Sequence, residues 1–515
     1  MLLDNIYSST TEFTNNMPKI KRKSIGQFFT ALPTALYMGN LAEANQEVVR
    51  ILDAGAGTGV LAASVLQKLL LKDIVKQINI DLYENNDEVI PTLQSNMRLM
   101  EINAAESGKK ILINHVKENF ILYNKANWDN SVKDGSYDII ISNPPYKKIG
   151  KKDSESSMMS KVVFGQPNMY FLFMAMAVKL LKDNGEFIFI VPRSWVSGLY
   201  FTAFRNYFFE NMSVINLHLF ESRDRVFEGE NVLQETMIIR AKKNQKAPKE
   251  ITITTSNGNY DFSNIKTFSV PYEVCVKADK HMFMFLPTSL DDVNMLKTVD
   301  AFSETLETLG LKLKTGVTVD FRSKQWMRYY PAENTVPLLW AFHFNGGCVK
   351  FPLNDEQNQY ITLENSALLM DNCNYLLIKR FTSKEERRRL QPAIFLRKEF
   401  NEYKYISTEN HLNFITRVNG ELTEDEAYGL YVVFGSTLWD KYYRILNGNT
   451  QVNATEINAI PIPCISDILY LGSQARQYSL LTTQICDYIL EELIHEKGRS
   501  KENTGSIRYA CETTG

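Results

Sequence analysis

One stretch limits the possible folds more than any other. Val49-Arg-Ile-Leu-Asp53 reads as a strand, Ala54-Gly55-Ala-Gly57-Thr-Gly59 as the tight turn after it, and Val60 to Leu71 as a helix of alternating Leu, Ala and Val. Strand, glycine turn and helix make the first βα unit of a nucleotide-binding sheet. Glycines permit the turn and let backbone N–H groups approach a ligand closely. A glycine turn by itself is weak, but a second strand, Ile78-Asn-Ile-Asp-Leu-Tyr-Glu84, ends in an acid 25 residues past the last glycine. That spacing puts a carboxylate at the neighbouring strand end, where it can hold both hydroxyls of a ribose. The alternative for Glu84 is a surface charge.

A third strand, Ile111-Leu-Ile-Asn-His115, leads to Asn119 and Phe120. An amide there can pair with an adenine edge and a Phe can cover its face; a loop with one buried Phe reads equally well. Tyr137-Asp-Ile-Ile-Ile-Ser142 is a short apolar run that suits a buried parallel strand, and Asn143-Pro144-Pro145-Tyr146 follows it directly. Two prolines cannot continue a ladder, so these residues fall at the strand's carboxyl edge, where open α/β sheets bind ligands. The chemistry suits an exocyclic amine on a base. Its lone pair is spread into the ring, and the Asn143 amide oxygen and Pro144 carbonyl can each accept one of its hydrogens. That draws the lone pair out of conjugation, while Tyr146 offers a flat face to a base taken out of its stack. A plain strand-to-loop turn is the competing reading.

Composition bounds the rest. At 515 residues, 44% hydrophobic and 23% charged, the chain has ample core for two or three domains. A net charge of -2 means that any polyanion must meet local basic patches. No apolar run reaches the roughly 18 residues of a membrane helix, and no charged-then-apolar leader opens the chain. The six cysteines and six histidines are scattered without a CxxC spacing. This disfavours zinc and suits free thiols in a reducing cytoplasm.

Taken in order, Phe28-Phe29-Thr30, Asp53 to Gly59, Glu84 and Asn143 to Tyr146 resemble the gamma group of adenine-N6 DNA methyltransferases. Across nearly the whole chain the likeness is nearest to the PstI/BsuBI type of modification methylase. The resemblance implies an α/β fold: a Rossmann-like S-adenosylmethionine-dependent methyltransferase sheet with helices on both faces, then a mixed α+β target-recognition domain. It implies S-adenosylmethionine as cofactor and a flipped adenine in double-stranded DNA as target. Asn143, Pro144 and Tyr146 would be catalytic. Phe29 and Thr30 would border the methionine part, Asp53, Gly55 and Gly57 its amino acid and backbone, Glu84 the ribose, and Asn119 with Phe120 the adenine. Phe227 would pack on the flipped base, or serve as core. Two departures stand out: the turn is preceded by Leu52-Asp53-Ala54, and Asn119 stands where the family usually has Asp. No metal and no membrane are implied; a separate cognate restriction endonuclease is a compatible partner.

The predicted organisation is a flexible basic arm over 1–24, a catalytic domain over 25–245, a linker over 246–284, a recognition domain over 285–465, a helix over 466–497 and a frayed tail over 498–515. Residues 1 to 16 read as loose, Thr30 or Thr34 as a helix cap, and the lysine- and serine-rich 147–160 as a mobile loop. Asn168 to Leu181 reads as a helix whose Met and aromatic stripe belongs to the core. Two segments look like DNA contacts. One holds Lys379, Arg380, Lys384, Arg387, Arg388 and Arg389; the other holds Asn449, Gln451 and Asn453. A salt-bridged helix and a structural turn are the alternatives. Among rivals, protein glutamine methylation fits poorly with so large a second half. A fused restriction enzyme would need a nuclease ahead of Gly26. A binding module with a degenerate fold would not keep the full motif set, and RNA as the substrate stays open.

Overall fold

The computed structural model describes residues 2–16, 30–130, 135–221, 235–353, 357–383, 385–447 and 450–496. It divides into two compact units, Met1–Leu290 and Asp291–Gly515.

The first unit carries one nine-stranded sheet. Its strands are β1 (Val48–Ala54), β2 (Gln77–Tyr83), β3 (Lys110–Val116), β4 (Tyr137–Ser142), β5 (Leu181–Pro192), β6 (Met212–Phe220), β7 (Thr236–Lys243), β8 (Glu250–Ser256) and β9 (Lys266–Pro271). Their spatial order is β3-β2-β1-β4-β5-β7-β6-β8-β9. The first five are parallel, and β7 inserts antiparallel between β5 and β6. The chain starts at β1, winds outward through β2 and β3, then returns to β4 on the far side of β1. Connections therefore leave the carboxyl ends of β1 and β4 in opposite directions, which opens a crevice between them.

Both faces are covered at the middle of the parallel region, which is why β4 is apolar without alternation, whereas β2 and β3 towards the edge alternate. Ile139, Ile140 and Ile141 of β4 are all fully buried. On one face, helices α1 (Leu2–Asn16), α2 (Leu32–Asn40), α3 (Val60–Leu70) and α4 (Ile90–Glu106) share a core with Val49, Ile51, Ile78, Ile188 and Ile190. The alternate side chains of β5, Phe187 and Phe189, stack on each other at 3.9 Å. Phe187 also meets Phe208 of α6 (Thr202–Asn211), while Phe171 of α5 (Met169–Leu180) meets Phe204. Period-two alternation sends neighbours to opposite faces, so one strand feeds both cores.

Several expectations change here. Residues 2–16 are not loose: they form α1, whose Leu2, Leu3 and Ile6 are buried in the core. The stretch expected as a linker supplies β8 and β9, which extend the sheet by pairing with β6 and with each other. The charged residues that suggest a linker, such as Lys249 and Glu250, lie at the strand's start, while Ile251 and Ile253 are buried. Neither Thr30 nor Thr34 caps α2, which begins after Ala31 without a side-chain cap. Within 147–160, Ser154–Met158 is a short helix with Ser156 and Met159 buried.

The second unit is mixed α+β. One sheet runs Leu311–Thr315, Leu412–Arg417, Tyr375–Lys379, Pro392–Phe395, Cys348–Val349 and Phe344–Asn345; another runs Met327–Arg328, Tyr360–Thr362, Thr335–Leu339, Tyr405–Thr408 and Met370–Asp371. Helices Glu424–Gly435, Thr437–Leu446 and Ile465–Ala475 follow. The single helix expected over 466–497 is two, broken at 476–482 and resuming over 483–496. The apolar period continues across the break, but Thr482 Oγ1 accepts from the Ile485 N–H and starts a new helix.

Candidate active site

A cavity of about 430 Å³ lies at the carboxyl ends of β1, β2 and β4, where the strand order reverses. Its floor is the glycine turn. Gly55, Gly57 and Gly59 have φ of 78°, 55° and 85°, a region costly for any residue with a Cβ. The Gly55 and Ala56 N–H groups both donate to the Tyr83 carbonyl, at 3.1 and 2.8 Å. The end of β2 is thereby bound to the turn after β1.

Glu84, the next residue, ties the two further. One carboxylate oxygen accepts from the Gly57 N–H at 3.0 Å and the other from the Asn86 N–H at 2.8 Å. Burial raises its pKa, and these N–H donors oppose the rise. Asp53 sits behind the turn, off the cavity wall and fully buried. Its Oδ2 accepts from the Ala62 N–H in the first turn of α3 at 3.1 Å, and its Oδ1 has no partner among the described residues. Burial pushes the Asp53 carboxyl up to about 7, and the nearby Glu84 charge adds to the rise.

An aromatic corner closes one side. Phe120 meets Phe173 at 4.9 Å and Tyr83 edge-on at 5.1 Å, and all three line the cavity. Asn119 lies beside them, but its groups are engaged. Its oxygen caps the short helix Phe120–Tyr123, accepting from the Ile121 and Leu122 N–H groups. Its amide nitrogen donates to Glu155 at 2.8 Å. The loop expected to be mobile is thus held to the cavity rim.

Opposite stands Asn143. Its amide nitrogen donates to the Thr30 hydroxyl at 3.1 Å, and its oxygen accepts from the Tyr146 hydroxyl at 3.0 Å. The same Tyr146 hydroxyl lies 3.0 Å from the Ile190 carbonyl of β5. Register places Asp53 of β1 beside Ile141 of β4, so Asn143 projects next to Gly55. Tyr146 is partly buried, meets Tyr170 edge-on and is not on the cavity wall; burial raises its phenol well above the ordinary value.

The cavity gathers Thr30, Gly55, Gly57, Glu84, Asn119, Phe120 and Asn143. Phe29 and Phe227 lie outside the described residues. Tyr83, Met169 and Phe173 also line the cavity and were not anticipated. Met169 and Phe173 belong to the stripe of α5 assigned to the core, where an apolar wall and a core face have the same periodicity. Tyr83 had a signal: it immediately precedes the strand-end acid.

The residues predicted to contact DNA fare differently. Arg389 is fully buried, donating to Thr382 O and Asn447 Oδ1, so it cannot reach a phosphate. Arg388 is partly buried and gives its donors to Leu390 O, Thr483 Oγ1, Phe434 O and Ser436 O. These two are scaffold, not contacts. Arg387 is exposed, and Lys379, Arg380, Gln451 and Asn453 are partly so. Lys384 and Asn449 lie outside the described residues. Among those residues no group of three or more His, Cys, Asp or Glu could hold a metal, and no helix is long and apolar enough to cross a membrane.

Comparison with known proteins places this geometry. The family model of the Eco57I restriction-modification methylases matches residues 58–227, from the glycine turn through β4 and β6. The type II methyltransferase M.BsuBI of Bacillus subtilis is 33% identical over 486 residues, 93% of this chain and 95% of its own. The type II methyltransferase M.PstI of Providencia stuartii is 30% identical over 496 residues, 95% and 97% of the two chains. A solved structure of the type IIL restriction-modification enzyme MmeI in complex with DNA aligns with 95% of this chain and 73% of its own, at 12% identity and a TM-score of 0.49. The Rossmann-like sheet with its cavity at the strand switch defines a methyltransferase fold. The chain belongs to the type II modification methyltransferases of the BsuBI and PstI kind.

Proposed function

We propose that the protein methylates the exocyclic N6 of an adenine at a specific site in duplex DNA, using S-adenosylmethionine, as the modification enzyme of a restriction-modification system. The observation that carries this is the placement of Asn143. Its amide is held at both ends, by Thr30 and Tyr146, on the wall of a cavity whose other walls suit a nucleoside-bearing cofactor.

The residues fit that cofactor. The cavity offers an aromatic corner at Phe120 for an adenine, the Glu84 carboxylate for ribose hydroxyls and the glycine turn for close backbone approach. Thr30 would border the methionine end, and Asp53 supports the turn from behind. S-adenosylmethionine, when bound, supplies an electrophilic methyl group on a sulfonium sulfur. The chain's own part is positional. Asn143 Oδ1 and the Pro144 carbonyl accept the two amine hydrogens and direct the nitrogen lone pair along the line of transfer. The proton that the amine sheds on methylation would pass to solvent from the hydrogen held at Asn143 Oδ1 or the Pro144 carbonyl. The Thr30 and Tyr146 bonds fix the amide before a base arrives, so little reorganisation is needed at the moment of reaction. Tyr146 would serve the flipped base, whose unstacking costs roughly a few kcal/mol.

Single-base methylation mapping of DNA from cells expressing the protein tests this. N6-methyladenine at one short sequence is the expected result. Methylated cytosine, or no DNA methylation with methylated RNA instead, would overturn it.

A further inference from the structure

We infer that the second unit meets duplex DNA through a basic and aromatic band built from residues 320–330 together with the loops at 380–381 and 409–411. This rests on the duplex reading above and names the surface that would carry it.

The segment Asp320-Phe-Arg-Ser-Lys-Gln-Trp-Met-Arg-Tyr-Tyr330 interleaves three cations with four aromatic rings. It is anchored rather than loose. Met327 is buried with Val336, Leu338 and Ile361, Trp326 packs against them, and Met327–Arg328 pairs with the strand Tyr360–Thr362. Anchoring that edge leaves the rest outside: Phe321 is 65% exposed and Tyr330 80%. Arg322, Lys324 and Arg328 are exposed too, and no carboxylate lies within ion-pair distance of them among the described residues. The Arg322 guanidinium lies over the Phe321 ring at 5.2 Å.

Backbone hydrogen bonds join the chain just ahead of this segment, at Thr318, to the neighbouring loop. The Thr318 N–H donates to Thr408 O at 3.0 Å and the Asn410 N–H to Thr318 O at 2.8 Å. One loop further, the Arg380 N–H donates to His411 O at 2.8 Å, and the Phe381 and His411 rings meet edge-on at 4.8 Å. The Arg380 guanidinium donates to Asn410 O and lies over the Phe381 ring. Val452 N–H donates to Arg380 O at 2.7 Å, which brings in the polar turn after 450. These bonds tie the base of the 320–330 segment to the loops at 409–411 and 380–381. In a chain of net charge -2, unneutralised cations set among exposed rings suit a polyanion whose sugars and base edges offer apolar surface.

The test is binding of a labelled DNA duplex to the full-length protein across a salt series. The variants are Arg322→Ala/Lys324→Ala/Arg328→Ala and Phe321→Ala/Tyr330→Ala, with Arg387→Ala for comparison. The triple variant should lose about tenfold or more in affinity, and its slope of log affinity against log salt should shrink by roughly two to three. The aromatic double variant should lose affinity several-fold with its slope unchanged, and Arg387→Ala should change the slope by at most about one. S-adenosylmethionine binding and thermal unfolding should match the parent protein, because the altered side chains are exposed and the Arg328 bonds to the Gln325 and Met327 carbonyls are local. Unchanged affinity and slope in the triple variant would overturn this surface alone. A parent protein that binds the cofactor but no duplex would overturn the function proposed above, and this surface with it.

Discussion

The cavity at the strand switch and the Lys379–Arg389 segment are both dense in polar side chains, yet they use them in opposite ways. Around the cavity, Glu84 and Asn143 stand at strand ends and Thr30 just ahead of α2, where side chains can face a ligand. In the second unit, Arg388 and Arg389 turn inward and satisfy carbonyls at a helix C-terminus and in a loop. Asp440 takes the Arg389 and Leu390 N–H groups on a single oxygen, each at 2.7 Å. A guanidinium with five donors can organise several loops at once, so a run of arginines marks a junction as readily as a binding face. Topology explains the difference. A parallel sheet exposes its carboxyl edge at the switch point whatever its loops do, whereas loop-rich sheets must find partners for many stray carbonyls.

The contrast can be broken at several points. The largest effect belongs to Asn143→Ala. Methyl transfer should fall by about 10²–10³-fold or more, with S-adenosylmethionine affinity nearly unchanged by calorimetry. Near-normal transfer would remove Asn143 from the chemistry. Next comes Glu84→Ala, which leaves the Gly57 and Asn86 N–H groups without their acceptor. Cofactor affinity should drop by roughly 10–100-fold, and an unaltered dissociation constant would mean that Glu84 only shapes the turn.

Arg389→Ala should act on folding instead. Removing a fully buried hub should cost about 2–4 kcal/mol of unfolding free energy, while Arg387→Ala should leave the melting curve in place. Equal stability in both variants would erase the distinction between scaffold and surface. Tyr146→Phe frees the Asn143 oxygen and Ile190 carbonyl but keeps the ring. Its loss of rate should be several-fold at most, well short of that in Tyr146→Ala; identical losses would argue against a role for the ring.

The smallest effect concerns pH. The Asp53 carboxyl titrates near 7 in the fold against an ordinary value of 3.8. Between those values the folded chain binds the extra proton, so this group's contribution to stability declines as pH rises through that window. Glu84, also raised by burial, acts in the same direction. Asp53→Asn keeps an oxygen for the Ala62 N–H and should flatten the decline between about pH 4 and pH 7. An unaltered profile would show that Asp53 is ionised throughout.

Legibility in the sequence followed the same divide. The turn at Gly55 to Gly59, the acid at the end of β2 and the prolines after β4 are local signals with a backbone cause, and each stands where its strand ends. The helix at 2–16 was hidden because its polar face dominates a short amphipathic segment. β8 and β9 were hidden because a charged lead-in resembles a linker. In the second unit the directions of Arg388 and Arg389 depend on carbonyls far along the chain, at Phe434 and Ser436 among others. No local window contains that information. The band at 320–330 is legible as composition, but only its exposure separates it from a core aromatic cluster.

The most direct test is a crystal structure with a non-reactive S-adenosylmethionine analogue and a duplex carrying the mapped site. The account predicts an adenine out of its stack, its amine within about 3.2 Å of both Asn143 Oδ1 and the Pro144 carbonyl, and the analogue's nucleoside between Glu84 and Phe120. An adenine still stacked in the duplex, or residues 143–146 turned away from both ligands, would contradict it.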